Sequence, residues 1–115
     1  MHALIIEKDF FTAQVIEDCL AILGYSSFAF AVDEDEAVSA ASERCPDLIT
    51  SAVQLSWGCG IDAVQRICSE RPIPVLYITG TAVMVRERCP EAVVIQKPFG
   101  VEELNEGVRQ ARMSA

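Results

Sequence analysis

The feature that most constrains this chain is a regular alternation of short apolar runs with longer amphipathic stretches. Four runs rich in Val, Ile and Leu predict buried strands at residues 3–6, 47–53, 74–79 and 92–96, and apolar alternation predicts a strand at residues 26–32. Apolar residues at helical spacing predict helices at residues 12–23, 33–44, 61–70, 82–88 and 101–112. Strands that alternate with helices indicate an α/β fold, a parallel sheet covered by helices on both faces.

Several residues predict where these helices begin, end and pack. Gly24 is expected to end the first helix, because glycine tolerates the left-handed turn found there. Asp33 is expected to cap the second helix, with Glu36 three residues later as its partner. The apolar spacing predicts that Val15 in the first helix and Val101 in the last point into the core.

The carboxyl ends of the predicted strands are where function is expected. In a sheet of this kind, ligands bind at that edge, next to the point where the strand order reverses. The chain is predicted to form one domain, residues 1–115, with enough apolar side chains to bury a core without disulfides or metal. The candidate functional residues, which follow the strands, are Glu7, Lys8, Asp9, Ala52, Thr79, Gly80 and Lys97.

The charge and hydropathy of the chain argue against several classes of function. Its formal net charge is −8 and its nine basic residues are scattered, so direct nucleic-acid binding is not expected. It has no apolar run near the roughly 18–20 residues that span a bilayer, and its first residues do not resemble a signal peptide. We therefore expect a soluble, cytoplasmic protein that does not bind membranes.

The cysteines, the histidine and the glycines form no pattern typical of catalysis. Five cysteines occur without a CxxC pair, so buried or half-buried thiols are expected rather than a zinc site. His2 is the only histidine, and without a second partner no nucleophile–base pair is predicted, so an enzyme is not expected. Gly58 and Gly60 lack the spacing of a phosphate-binding loop and are expected to adopt positive φ.

The segment QKPFG at residues 96–100 is the most specific local signal. A lysine at the end of a strand, followed by Pro98, predicts a rigid turn in which Lys97–Pro98 is a candidate cis peptide bond. Together with Thr79, with PDLIT at the third strand and with five strand–helix units, this segment resembles the receiver domain of two-component response regulators. The stretches QLSWGCGIDAV and PVLYITG are most similar to receivers of the alphaproteobacterial general-stress type.

The resemblance implies a flavodoxin-like, doubly wound fold with five parallel strands in the order 2-1-3-4-5. In this family, two acidic residues after the first strand and an aspartate after the third bind Mg²⁺, and that aspartate takes a phosphoryl group. A Thr or Ser after the fourth strand and a Lys after the fifth bind the phosphoryl oxygens. An aromatic residue on the fifth strand turns inward when the Thr or Ser moves. Thr79 and Lys97 match these phosphoryl-sensing positions, and Glu7 matches the first acidic position.

Three of the family's positions are changed in this chain. Lys8 falls on the second acidic position and reverses its charge. Ala52 falls on the phosphoacceptor, and Val94 falls on the switch aromatic. The stretch between Thr79 and Lys97 is also about one helical turn shorter than is usual, which implies a shortened fourth helix.

These changes predict that the chemistry of the family is absent. An acyl phosphate requires a carboxylate nucleophile, which alanine lacks. Glu7, Lys8 and Lys97 together carry a formal charge of +1, and the sum falls to 0 if Asp9 turns inward. Weak or absent Mg²⁺ binding and no other cofactor are therefore expected, since a hard cation needs several oxygen ligands. We hypothesise that one of these lysines pairs with one of these carboxylates and stands where the metal would be.

Three functions are compatible with the sequence. The first is a receiver-like signalling domain that is not phosphorylated and that binds a protein such as a histidine kinase, an output domain or another regulator. The second is an ordinary phosphorylatable receiver in which an introduced change replaced Asp with Ala at position 52. The third is a sensor that binds a small anion through Thr79 and Lys97, assisted by Lys8.

Two surfaces are candidates for protein binding. One combines the fifth strand with the fourth and fifth helices, and the other combines the first and last helices. Homodimerisation is compatible with either surface. Trp57 and Met84, near the functional edge, are candidate contact residues.

Overall fold

The computed structural model describes residues 1–69 and 71–114, and its strands and helices alternate as predicted. The strands are β1 (His2–Ile6), β2 (Ser27–Ala31), β3 (Leu48–Ser51), β4 (Val75–Thr79) and β5 (Val93–Gln96). The helices are α1 (Phe10–Ile22), α2 (Glu34–Glu43), α3 (Gly60–Ile67), α4 (Ala82–Arg88) and α5 (Val101–Ser114). The predicted end of α3 was wrong, since that helix ends at Ile67, and the predicted last residue, 70, lies outside the described residues.

All five strands are parallel and lie in the order β2-β1-β3-β4-β5, which confirms the flavodoxin-like topology. β1 and β3 are buried along their whole length because they lie inside the sheet with helices on both faces. β2 and β5 form the two edges of the sheet. Because the strands are parallel, their carboxyl ends share one edge, where the predicted functional residues lie.

Apolar side chains form one core on each face of the sheet. Ile5 of β1 belongs to the same cluster as Ile16 of α1 and Leu104 of α5. On the other face, Ile49 of β3 belongs to a cluster that contains Ile61 of α3. Successive residues of a strand point to opposite faces, so the interior strands contribute to both cores. The longest helix among the described residues has 14 residues, and no helix there could cross a membrane.

Local hydrogen bonds explain where α1 ends and α2 begins. Gly24 follows the last turn of α1 with a φ of +102°, as predicted. The Asp33 carboxylate accepts the backbone N–H of Glu36 at 2.8 Å, which confirms Asp33 as the cap of α2. In return, the Glu36 carboxylate accepts the N–H of Val32 at 3.0 Å. These reciprocal bonds satisfy backbone donors that the first turn of a helix leaves unpaired.

Glu34, at the start of α2, holds the loop between β3 and α3. Its N–H donates to the Trp57 carbonyl at 3.1 Å, and its carboxylate accepts the Arg66 guanidinium at 3.0 Å. Gly58 has a φ of +79°, as expected, and a Cβ there would lie 2.4 Å from the Glu34 carboxylate. The loop is therefore fixed against α2, and it presents the Trp57 side chain, which is 59% exposed, to solvent.

Three residues predicted to be buried are exposed instead. Val15 lies on the outer side of α1, because the neighbouring Ile16 occupies the side that packs on the sheet. Val101 is the first residue of α5, and the helix reaches the core only at Leu104. Cys45 lies in the loop between α2 and β3 and is exposed, whereas the other four cysteines are buried or half-buried, and all five are free thiols.

Candidate functional site

The structure brings two of the predicted site residues into direct contact. Glu7 follows β1 and Lys97 follows β5, and the Lys97 Nζ atom lies 2.7 Å from Glu7 Oε1. The Glu7 side chain is only 3% exposed and that of Lys97 is 29% exposed, so the pair is largely removed from water. The second carboxylate oxygen of Glu7 accepts the backbone N–H of Asp9 at 3.0 Å. Each oxygen of this buried carboxylate therefore accepts a hydrogen bond.

This contact confirms the hypothesis that a lysine pairs with a carboxylate at this edge, and the lysine is Lys97. Lys8 is exposed, and within the described residues 1–69 and 71–114 its side chain makes no hydrogen bond or ion pair. Lys8 therefore adds a positive charge in the chain next to Glu7 but does not contact the Glu7 carboxylate.

Asp9 does not turn into the site, because it caps α1. Its carboxylate accepts the backbone N–H of Thr12 at 3.0 Å and also the Thr12 hydroxyl. These hydrogen bonds hold the pKa of Asp9 below its usual value, since they favour the charged form. The sequence signal for this role is a threonine three residues after an aspartate, at the start of an amphipathic helix.

Ala52 follows β3 and is buried. Its N–H donates to the Ile6 carbonyl at 2.9 Å, and its own carbonyl accepts the Ser51 hydroxyl at 2.9 Å. Gly60 does not have positive φ, so that expectation was wrong. Glycine is required there for space, since a Cβ at position 60 would lie 1.6 Å from the Ala52 carbonyl oxygen. The backbone at Ala52 is thus tightly enclosed, and its side chain offers only a methyl group.

Thr79 ends β4, and its buried hydroxyl bonds to the loop that follows. The Thr79 Oγ1 atom accepts the N–H of Thr81 at 3.0 Å and lies 3.0 Å from the Thr81 hydroxyl. Gln96 holds the same loop, a role that the sequence reasoning missed. Its side chain donates to the Gly80 carbonyl at 2.7 Å and accepts the N–H of Ala82 at 3.2 Å. The available signal was a single amide at the end of the apolar run VVIQ.

The remaining predicted residues lie around this edge. Val94 is half-buried in β5, and the Lys97–Pro98 peptide bond is cis. Met84, on the short helix α4, is exposed. In the structure, neither Met84 nor Trp57 belongs to the two apolar cores.

The residues at this edge do not fit the Mg²⁺ ion that the resemblance implies. Such an ion takes several oxygen ligands, usually with carboxylates among them. Both oxygens of Glu7 already accept hydrogen bonds, Asp9 caps a helix, and Ala52 has no side-chain oxygen. Across the described part of the chain, no three His, Cys, Asp or Glu side chains are grouped as metal ligands. The ammonium group of Lys97 is the cation that Glu7 contacts.

Three exposed apolar side chains, named here the apolar stripe, lie along the outer side of α1, with the exposed Asp18 between the second and the third. Phe11 is 76% exposed, Val15 49% and Ile22 82%. At about 100° per residue, these three positions lie within about 40° of one another around the helix. Phe11 and Val15 also line a groove of about 440 Å³ together with Phe99. Because the inner side of α1 packs on the sheet, this helix is apolar on two sides.

Comparisons with known proteins agree with this architecture. The response regulator receiver domain model matches residues 3–109. The chain is 38% identical over 79 residues to a protein-glutamate methylesterase/protein-glutamine glutaminase of Haloarcula marismortui, a match that covers 69% of this chain and 21% of that protein. The chain thus spans about a fifth of the length of that relative.

Two solved structures resemble the chain over nearly its whole length. The response regulator PhyR of Brucella abortus gives a TM-score of 0.88 at 29% identity, covering 98% of this chain and 48% of that one. The receiver domain of PhyR from Erythrobacter litoralis gives 0.88 at 27% identity, covering 97% and 89%. The matched family model and the shared topology lead to one conclusion: the chain belongs to the response regulator receiver domain family of two-component signalling systems.

Proposed function

We propose that this chain is a receiver domain that is not phosphorylated and that acts by binding a protein. The observation that carries this proposal is the buried Ala52, whose methyl group stands at the position where the family has its phosphoacceptor aspartate. The ion pair between Lys97 and the buried Glu7 adds to this, at the edge where the family binds its metal ion and phosphoryl group. It leaves both Glu7 oxygens already accepting hydrogen bonds.

The side chains at the end of β3 support the same proposal. Position 52 carries a methyl group, and the neighbouring Ser51 is buried with its hydroxyl donated to the Ala52 carbonyl. No carboxylate is thus available at the end of β3 to attack a phosphoryl donor. Lys8 and Val94 also depart from the family pattern, which favours a naturally inactive site over a single introduced change at position 52.

The geometry gives less support to an anion sensor. Its two principal donors would be Thr79 and Lys97, but the Thr79 hydroxyl bonds to Thr81 and the Lys97 ammonium group to Glu7. An anion would have to break the Glu7–Lys97 pair and would then approach a buried carboxylate. Protein binding requires no such rearrangement.

The apolar stripe on α1 is the surface that we infer for the protein partner. Exposed apolar side chains that lie together on one surface commonly mark interaction sites. Phe11, Val15 and Ile22 lie on one side of the helix, and the groove beside them extends the apolar surface to Phe99. The expected partner is a protein of the same signalling system, such as a histidine kinase, an output domain or another regulator.

The inactive site can be tested with the fluorescence of Trp57, which lies on the loop that follows β3. We expect no response to millimolar Mg²⁺ followed by beryllofluoride, a phosphoryl mimic, because the acceptor carboxylate is missing. The Ala52→Asp variant should also fail to respond, because Lys8 still stands where the family has its second acidic metal ligand. Ala52→Asp combined with Lys8→Asp supplies both missing carboxylates and is the control in which a response is expected.

The possible results separate the alternatives. A response of the unaltered chain would contradict the proposal. A response of Ala52→Asp alone would support an ordinary receiver that carries one introduced change. If neither the unaltered chain nor Ala52→Asp changes its fluorescence but the double variant does, the result would support a receiver that is inactive by nature.

The binding surface can be tested by site-specific photocrosslinking in cells. A photoreactive residue at Ile22 should form an adduct with another two-component signalling protein, because that position lies in the exposed apolar stripe. The same residue at Ser39, which is exposed on α2, is the matched control and should not. Equal adducts from both positions, or none from Ile22, would contradict the assignment of α1.

A further inference from the structure

The thiol of Cys45 lies at the edge of the sheet opposite to the candidate functional site. Cys45 is in the loop between α2 and β3, just before β3 begins, whereas the candidate site lies where the strands end. The residue is exposed, and the Arg71 guanidinium donates to Cys45 Sγ with an N–S distance of 3.1 Å. A positive charge beside the sulfur stabilises the negative charge that a cysteine carries when it attacks a disulfide.

Cys45 and Arg71 line a groove of about 570 Å³ between the ends of α2 and α3. Ile67 and Ile73 contribute apolar side chains to this groove, and Arg66 is its second cation. Among the described residues, the lining contains two arginines and no acid, although the whole chain has a formal net charge of −8. The groove is therefore locally basic, and its volume suits a small molecule that carries carboxylates.

Both guanidinium groups of the groove have donors to offer to a bound molecule. Within residues 1–69 and 71–114, Arg71 forms no ion pair. Arg66 pairs with Glu34 and Asp35, but both contacts use the same nitrogen, Nη1. In the same part of the chain, the other side-chain nitrogens of Arg66 make no hydrogen bond. Arginine binds carboxylates through pairs of N–H donors, so a carboxylate is the group expected beside these residues.

The other thiols lack this combination of exposure and a neighbouring cation. Cys45 is the one exposed cysteine among the five, all of which the structure describes. Cys59 is half-buried, and its arginine, Arg88, lies 3.8 Å from the sulfur and pairs with Asp62 at 2.7 Å. Cys68 is also half-buried, and burial raises the pKa of its thiol, which leaves less of it as the reactive thiolate.

We propose that Cys45 forms a mixed disulfide with a small thiol that carries carboxylates, and that Arg71 and Arg66 hold this thiol in the groove. The oxidant is a low-molecular-weight disulfide of the same thiol. The Cys45 sulfur attacks one of its two sulfurs, and the bond between those two sulfurs breaks as the new S–S bond forms. The proton of the Cys45 thiol ends on the thiol that is released. A second molecule of the small thiol reverses the step by attacking the mixed disulfide.

This site would give the domain a redox input that is independent of the proposed function. The bound thiol would occupy the groove between α2 and α3, at the amino ends of the strands. The Glu7–Lys97 pair and Ala52 lie at the carboxyl ends of the strands. The state of Cys45 therefore does not depend on whether the domain is phosphorylated.

The test compares two small disulfides of opposite charge on the reduced, unaltered chain. Glutathione disulfide is an anion that carries carboxylates, and cystamine is a cation that carries none. Mass spectrometry of peptides locates the modified cysteine, and each rate is divided by the rate of N-acetylcysteine with the same disulfide. The net charge of −8 alone would favour cystamine. The groove predicts the reverse, with Cys45 reacting about tenfold faster with glutathione disulfide than with cystamine after this correction.

Two arginine variants test whether the groove causes this preference. Arg71→Met should slow the reaction of Cys45 with glutathione disulfide by about tenfold and remove the preference over cystamine. Its melting temperature should change little, because Arg71 is exposed. Arg88→Met is the matched control, since it removes the guanidinium near Cys59 instead, and it should leave the Cys45 rate unchanged.

Several results would overturn the proposal. These are a preference of Cys45 for cystamine, an equal rate in Arg71→Met, or a main adduct on another cysteine. A disulfide within the chain, seen as the loss of two hydrogen masses without a glutathione adduct, would also overturn it. The comparison of the two disulfides uses the unaltered chain, so it decides the question even if a variant fails to fold. No step uses beryllofluoride, so this proposal can fail while the inactive site stands.

Discussion

Replacing Gly60 with alanine should lower the free energy of unfolding by about 3 kcal/mol or more, at or above the upper end of the usual cost of overpacking. A Cβ at position 60 would lie 1.6 Å from the Ala52 carbonyl oxygen and 2.5 Å from the Ser51 hydroxyl. Neither neighbour can move easily, because the Ala52 N–H is tied to Ile6 and Ser51 belongs to β3. Urea denaturation followed by circular dichroism measures this loss.

Gly80→Ala is the matched control for this prediction. Gly80 lies in the corresponding loop after β4, no atom lies within 4 Å of a Cβ built there, and its φ is not positive. Its replacement should leave stability unchanged or raise it by about 0.5 kcal/mol, because alanine restricts the unfolded chain. If Gly60→Ala and Gly80→Ala change the free energy of unfolding equally, the tight enclosure of the Ala52 backbone is refuted.

Replacing Lys97 with methionine should lower the free energy of unfolding by about 3 kcal/mol, because it leaves the buried Glu7 carboxylate without its cation. Among the residues that the structure describes, the only other hydrogen bond to that carboxylate comes from the Asp9 N–H. This loss is at the low end of the range for breaking a buried ion pair, because Lys97 is partly exposed. Guanidinium would screen the charges, so unfolding in urea is the suitable measurement.

Two further variants show whether this loss comes from the unpaired charge. Lys8→Met removes a neighbouring lysine that makes no ion pair among the described residues, and it should change stability by less than about 0.5 kcal/mol. Glu7→Gln in the Lys97→Met background should recover most of the lost stability, since an amide can accept the Asp9 N–H without carrying a charge. Equal effects of Lys8→Met and Lys97→Met would contradict this account of the site.

The sequence predicted the order of strands and helices because each element has a strong apolar period and clear ends. Gly24 and Asp33 are examples, since each ends or begins a helix where its conformational preference requires. The strand order came from the resemblance to the receiver family, because the apolar pattern alone does not specify which strands are neighbours. The strand-end positions and the pocket that the resemblance implies predicted that a lysine would meet a carboxylate, but choosing Lys97 over Lys8 required the structure.

The errors share a physical cause. α1 is apolar on two sides, so its period could not show that Ile16 packs on the sheet while Val15 stays exposed. The sequence predicts positive φ at Gly60, but glycine is needed there for space, because the chain folds back so that the backbone of Ala52 comes close to it. Gln96 acts through loop groups that lie 14 and 16 residues away along the chain. Contacts of this kind depend on how elements pack, which local patterns do not encode.

The pairing of Lys97 with Glu7 also changes which variable of the cell can act on this edge. A dissociable ion links the state of a site to the concentration of that ion in solution, whereas a lysine of the same chain is always present at the same effective concentration. On the proposed function, chelators and the magnesium level of the cell would therefore leave this domain unaffected. The concentrations of the domain and of its protein partner would then set how much of its binding surface is occupied.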